Sequence, residues 1–266
     1  MGNITLGRYI PLDSPIHKMD PRAKIMAMLL MLIAVFIPAG WYGYAILFVT
    51  ASAAIFTARL KPSFIWRSMK PMLMMFIFLF IINCLFVKTG TPLFTIGTYT
   101  LFSDAVFNTL FIVVRLLLMI MFTTCLTATT KPLDMTLGIE DLLGPFKKIH
   151  VPSHEIAMLI SIALRFIPDL IDETQRIMKA QESRGVDLKE GKLMERIMAI
   201  LSLIVPLFVS AFQRAEDLAN AMEARGYSPG EERTRYKVLK MTGKDYAVLV
   251  LAAVILAGLI VMAVVL

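Results

Sequence analysis

Apolar residues gather along the chain into long runs at approximately Ala23 to Ala39, Tyr42 to Arg59, Pro71 to Val87, Ala105 to Ala128 and Tyr246 to Leu266. A bilayer core of roughly 30 Å takes about 17 to 25 apolar residues in one helical span, so each run predicts a transmembrane helix. The first two meet in Pro38-Ala39-Gly40-Trp41-Tyr42-Gly43, where turn formers join amphipathic aromatics. That combination predicts a tight hairpin at a membrane face. Two further apolar segments, Ile156 to Ile167 and Ile197 to Phe212, have 12 and 16 residues, the first containing Arg165 and the second Pro206. Both fall short of a comfortable span.

The charged positions between the runs orient them, because short loops rich in Lys and Arg stay on the cytoplasmic side. Residues 1–24 carry Arg8, Lys18, Arg22 and Lys24, and the segment from Arg59 to Lys70 adds Arg59, Lys61, Arg67 and Lys70 without an acid. The opposite connections hold only Lys88. A cytoplasmic N-terminus and an extracellular C-terminus follow, with Thr129 to Asp245 in the cytoplasm carrying 17 of the 27 basic residues. If both short segments crossed, Arg176, Lys179, Arg184, Lys189, Lys192 and Arg196 would lie outside, against the charge rule, so both are placed on the cytoplasmic side. The expected fold is an all-α integral membrane protein with about five transmembrane helices and a cytoplasmic domain of amphipathic helices. Residues 1–130 hold the N-terminal tail and four spans, 131–245 the cytoplasmic domain, and 246–266 the last span.

Composition agrees with this class. Apolar residues make up 58% of the 266 and charged residues 18%, against roughly 45 to 50% apolar in soluble domains. A disordered chain is excluded and a soluble enzyme disfavoured. The net charge of +7, in so apolar a chain, points to cytoplasmic loops and not to nucleic acid. Cys84 and Cys125 lie inside apolar runs and read as small packing residues, not as a disulfide framework. The first twenty residues hold Arg8, Asp13, Lys18 and Asp20 without an apolar core, so a targeting peptide is not expected there.

Within the cytoplasmic stretch, Leu170, Ile171, Thr174, Ile177, Met178 and Gln181 form a stripe of period 3.6 between charged residues. The segment from Ile197 to Phe212 is apolar nearly all round, and Arg214, Glu216, Asp217 and Glu223 then restore a polar face. An apolar part near the membrane and a charged part beyond it suit a lever between a membrane partner and a soluble one. Taken singly, each is also an ordinary amphipathic helix. An internal repeat is more informative: Ala180-Gln181-Glu182-Ser183-Arg184-Gly185 matches Ala221-Met222-Glu223-Ala224-Arg225-Gly226 at a distance of 41 residues. Upstream, Pro168 and Gln175-Arg176 echo Pro206 and Gln213-Arg214 with a three-residue slip. In each copy Gly is placed past a helix end at positive φ, and Arg falls in the last turn, where the dipole favours a cation. One Arg-Gly is a plain helix stop; two matching copies argue for a shared task. A guanidinium at a helix tip can dock on carboxylates or carbonyls of a partner.

Other chemistry is not visible. A phosphate-cradling loop needs Gly, four residues, Gly-Lys and Ser or Thr, whereas Gly185 to Gly191-Lys192 has five intervening residues and ends in Leu193. His150 and His154 flank Pro152, which spoils a helical metal pair, and His17 is far away in sequence. No catalytic residue and no metal site is assigned. Arg115 lies mid-run, where a lone charge costs roughly 3 kcal/mol on insertion scales unless paired or solvated. Snorkelling, or pairing with Asp104 or a partner's acid, outweighs a transport role because no acid relay accompanies it.

The segment from Gly7 to Lys24, with Asp20-Pro21-Arg22-Ala23-Lys24 inside it, joins Leu164-Arg165-Phe166-Ile167-Pro168 and the two Arg-Gly motifs in resembling a known family. It is the T component (EcfT) of energy-coupling factor transporters, in the CbiQ/EcfT family, and the similarity runs essentially full length. The resemblance implies a bacterial plasma-membrane scaffold coupling two ABC-type ATPases, of the EcfA and EcfA' kind, to a small membrane S component that binds a vitamin or micronutrient. It implies no cofactor in this chain; ATP and Mg would be bound by the partner ATPases, and the lipid bilayer is the remaining partner. Ala180, Glu182, Ser183, Arg184 and Gly185, with Ala221, Glu223, Ala224, Arg225 and Gly226, fall at the family's ATPase-seating motifs. Ser183 stands where the common motif has Ala. By the same resemblance the amphipathic helices cradle the S component, with Ile177, Met178, Ile197, Ile204, Leu207 and Phe208 as contacts. The alternative on residues alone is a self-contained carrier or channel with Arg115 in its path, and an intramembrane enzyme comes last.

Overall fold

A computed structural model describes residues 9–87, 89–96, 99–143, 153–186, 193–228 and 239–265. The described residues form nine α-helices and one short hairpin: α1 (Pro21–Phe36), α2 (Gly40–Thr57), α3 (Pro62–Met69), α4 (Leu73–Phe86), β1 (Pro92–Ile96), β2 (Tyr99–Phe102), α5 (Ser103–Thr129), α6 (Pro132–Leu143), α7 (Ser153–Ser183), α8 (Leu193–Ala224) and α9 (Gly243–Val265). They fall into two compact units, Met1–Val151 with Leu239–Leu266, and Pro152–Val238.

In the first unit α1 packs on α9, α5, α6 and α2, and α5 packs in turn on α2, α3 and α4. Val35, Leu47, Leu118 and Leu259, one from each of α1, α2, α5 and α9, are almost wholly buried and mark the centre of the core. Helix α1 begins where Asp20 accepts the Arg22 N–H at 2.9 Å and Pro21 supplies a preset φ. It stops two residues before Pro38, as the restriction on pre-proline residues requires. The expected hairpin follows, with Gly40 at φ +63 opening α2. Gly43 then allows close approach: a Cβ there would meet Ala39 Cβ at 2.6 Å and Leu259 Cδ2 at 3.2 Å.

Among the described residues five helical segments are long and apolar enough to cross a bilayer: Gly40–Thr57, Pro62–Phe86, Ser103–Thr129, Met194–Ala224 and Gly243–Val265. The number agrees with expectation, but the membership differs. Helix α1 has 16 residues and so extends only about 24 Å. Ile197 to Phe212, set aside in the sequence for its length and Pro206, is the inner part of the 32-residue α8. Ile156 to Ile167 likewise belongs to the 31-residue α7, which runs through Pro168.

Two further features depart from the sequence reading. Strands β1 and β2 pair antiparallel, with Phe94 opposite Leu101, Thr95 opposite Thr100 and Ile96 opposite Tyr99. The segment is dense in β-branched and aromatic residues and too short for a span, so the hairpin is the local solution. Residues 132–143, assigned above to the cytoplasmic domain, form α6 in the first unit, where Gly138 brings α6 against Pro21 and the Arg22 backbone.

Candidate coupling site

The second unit is α7 and α8 packed on one another. Gln181 meets Ser202, while Glu173 and Asp169 meet Arg214, so contacts descend α7 as they ascend α8 and the two helices run antiparallel through their contact. Arg214 Nη2 donates to Glu173 Oε2 at 3.1 Å, Arg214 Nη1 lies 3.9 Å from Asp169 Oδ2, and Arg176 Nη1 lies 3.7 Å from Glu173 Oε2. Glu173 and Arg214 are themselves 41 residues apart, the period of the internal repeat. The ion pair thus joins the two helices at positions equally far from their Arg-Gly tips. Arg184 lies eleven residues beyond Glu173, and Arg225 eleven beyond Arg214. Each tip is therefore about 16 Å past the ion pair along its own helix, in opposite directions.

A second polar contact repairs the proline. Pro206 has no N–H to offer the carbonyl of Ser202, four residues back, and Gln181 Nε2 donates to that oxygen at 3.3 Å. Helix α7 thereby supplies the donor that the proline lacks. Glu173, Arg214 and Gln181 were not singled out as site residues in the sequence. The signals were present: one pair sits at the repeat distance, and the carbonyl four before a proline needs a partner.

Both helices end in the same cap. Gly185 has φ +84 and Gly226 φ +72. The Gly185 N–H donates to Glu182 O at 3.0 Å and the Val186 N–H to Gln181 O at 3.0 Å; the Gly226 N–H donates to Glu223 O at 2.8 Å and the Tyr227 N–H to Met222 O at 2.9 Å. These paired bonds are the Schellman arrangement, which satisfies the last carbonyls. A Cβ on either glycine would meet nothing within 4 Å, so glycine serves the backbone conformation alone. Arg184 and Arg225 are the cap residues immediately after the last helical residue, one step beyond the expected last turn. Their N–H groups still donate to Ala180 O and Ala221 O, at 3.2 and 3.3 Å.

The structure brings the predicted motif residues out to solvent at both tips. Ala180, Glu182, Ser183, Arg184 and Gly185 are exposed, as are Ala221, Glu223, Ala224, Arg225 and Gly226, whereas Gln181 and its equivalent Met222 are half-buried. Neither the Arg184 nor the Arg225 guanidinium has a hydrogen bond or ion pair with a described residue. Each is a cation at the negative end of a long helix, free to bind an acceptor. Ser183 Oγ donates to Lys179 O at 2.9 Å, so its hydroxyl is absorbed by its own helix and the tip remains as small as the one bearing Ala224. Of the proposed apolar contacts, Ile197, Ile204 and Phe208 are exposed, while Ile177, Met178 and Leu207 are half-buried.

Among the described residues Arg115 meets neither Asp104 nor another acid. Its Nε and Nη2 donate to Tyr44 Oη at 3.2 and 2.9 Å, and its guanidinium stands 5.7 Å from the Phe36 ring. Tyr44 lies in the first turns of α2, and Trp41, three residues before it, stacks on Phe111 at 4.3 Å. The cation thus reaches the aromatic end of the α1–α2 hairpin.

The apolar helices and the crossed pair with matched basic tips define a polytopic, all-α membrane protein. A family model described as cobalt transport protein (CbiQ) matches residues 13–236. The energy-coupling factor transporter transmembrane protein EcfT of Bacillus subtilis (strain 168) is 43% identical over 98% of both chains. The EcfT protein of Lactococcus lactis subsp. cremoris (strain MG1363) is 40% identical over 98% of both, and that of Macrococcus caseolyticus (strain JCSC5402) 44% over 90% of both. The chain belongs to this CbiQ/EcfT family of transporter transmembrane proteins.

Proposed function

We propose that this chain is the coupling subunit of an energy-coupling factor importer in a bacterial plasma membrane, with no enzymatic activity of its own. It docks two ABC-type ATPases, a heterodimer, through the Arg184 and Arg225 tips, and holds a small S component that binds a vitamin or other micronutrient. ATP and Mg belong to the ATPases. The observation that carries this reading is the pair of identically capped helix tips whose exposed Arg184 and Arg225 guanidinium groups meet no described residue, on helices joined by the Glu173–Arg214 contact. Two similarly capped tips, one on each of two antiparallel helices, suit two similar partners.

The exposed apolar residues of α8, among them Ile197, Ile204 and Phe208, form the surface for the S component or lipid. Crossing the bilayer with α8 would separate Arg196 from Arg214 and Arg225 and expose one group outside, against the charge rule. The coupling helices therefore lie at the cytoplasmic face, and with the 16-residue α1 taking the place of α8 as a short fifth span the N-terminus is cytoplasmic and the C-terminus extracellular. The test is Arg184→Glu with Arg225→Glu. Substrate uptake and ATPase docking are expected to be lost while the spans still insert; normal uptake by that double variant overturns the assignment.

A further inference from the structure

The charged residues of Asp20-Pro21-Arg22-Ala23-Lys24 hold different parts of the first unit. The Asp20 N–H donates to Asp245 Oδ1 on α9 at 3.0 Å, and Asp245 Oδ2 accepts from the Thr242 N–H and hydroxyl, both at 2.7 Å. Lys24 Nζ, buried, donates to Thr129 O at the end of α5 at 3.0 Å and to His17 O at 3.3 Å. Arg22 does the most. Its Nε and Nη2 donate to both oxygens of Asp20 at 3.1 and 2.9 Å, Nη2 also donates to Leu239 O at 3.0 Å, and Nη1 lies 3.4 Å from Asp141 Oδ2.

Asp141 is on α6, the last described element before the second unit, and Leu239 is the first described residue after it. The second unit is an insertion joined to the first by two chain connections, one beyond α6 and one before Leu239. A single planar guanidinium therefore grips the first-unit end of both connections while tied to the cap of α1.

We propose that Arg22 is a positioning residue for coupling: it clamps both attachment points of the inserted α7–α8 unit to the start of α1, so that motion of the coupling helices reaches α1 and α9 together. The coupling half rests on the function proposed above; the clamp itself does not. Lysine keeps the charge but cannot span three acceptors with one fork, so Arg22→Lys is the informative change, and Asp141→Asn cuts one arm only.

Hydrogen exchange of the full chain in lipid nanodiscs tests the clamp. Arg22→Lys is expected to raise exchange over both 139–143 and 239–245 by about tenfold, the factor carried by one charge-assisted hydrogen bond. Asp141→Asn is expected to raise the first stretch only. In the complex recovered with its ATPases, uptake of radiolabelled B-group vitamins per ATP hydrolysed is expected to fall by a similar factor for Arg22→Lys, with ATPase recovery unchanged. If Arg22→Lys does not insert, Asp141→Asn supplies both readouts. Unchanged exchange overturns the clamp, and loosened exchange with wild-type uptake per ATP overturns its part in coupling. A wild-type chain that recovers no ATPase sinks the proposed function instead, while the exchange comparison still judges the clamp.

Discussion

Replacing Gln181 by leucine removes the one donor that α7 gives to the Ser202 carbonyl, the acceptor that Pro206 leaves free. Leaving a buried acceptor without a partner costs about 1 to 3 kcal/mol, and at this half-buried site the low end applies, about 1 kcal/mol. That is roughly a fivefold increase in local opening. The size should depend on the proline. With Pro206→Ala, position 206 regains an N–H that can bond Ser202 O within α8, so Gln181→Leu then removes a donor that is no longer needed. Any packing effect of leucine is common to both backgrounds, and the difference between them isolates the hydrogen bond. Hydrogen exchange over 199–210 in nanodiscs is the assay. Gln181→Leu is expected to speed exchange about fivefold when Pro206 is present and to leave it unchanged, within about 0.5 kcal/mol, in the Pro206→Ala background. Equal acceleration in both backgrounds refutes the repair of the proline by Gln181.

Gly185→Ala and Gly226→Ala place an L-residue at φ near +84 and +72, a cost of about 1 to 2 kcal/mol that a smaller unfolded-state gain partly offsets. Each is expected to fray its helix tip and weaken ATPase recovery several-fold in pull-downs, whereas Asn, which tolerates that conformation, stays near wild type; equal effects of Ala and Asn contradict the backbone explanation. Burial holds the His17 imidazole below its ordinary value, with Lys24 adding to the effect, while the bond to Ile10 O opposes them. The folded state thus favours neutral His17, whose contribution is present above about pH 6.5 and lost as pH falls through the folded value. The Ile10 amide, bonded to Ala128 O at 3.0 Å, is expected to lose protection relative to its intrinsic rate on acidification. His17→Gln is expected to flatten that dependence, and a profile unchanged by the substitution rules His17 out.

Much of this architecture is written in local pattern. The turn at Pro38 to Gly43, the paired helix stops and the 41-residue repeat depend on single residues whose backbone demands are strong, so they are readable without a partner in view. The apolar runs are readable because a bilayer imposes their length. What was not readable depends on contacts between distant segments. Helix α8 passes through Pro206 with Gln181, 25 residues earlier, meeting the freed carbonyl, and no feature of the 16-residue run announces that contact. Residues 132–143 join the first unit through Gly138 packing on α1, a contact that has no periodic signature. Arg115 chooses Tyr44, 71 residues away, over the nearer Asp104 because α2 packs on α5. Within the site, the arginines and glycines were visible as a motif, but the Glu173–Arg214 pairing that relates them appears only once the helices are side by side.

The most direct test is a mild-detergent pull-down of the tagged chain from its native membrane, with Arg184→Glu and Arg225→Glu made singly and together. The prediction is recovery of two ATPase subunits and a small membrane protein with the wild-type chain, partial loss of ATPase with either single change, and near-complete loss with both. Recovery of the chain alone, with substrate transport intact in liposomes lacking any ATPase, contradicts the coupling role and makes this a self-contained carrier.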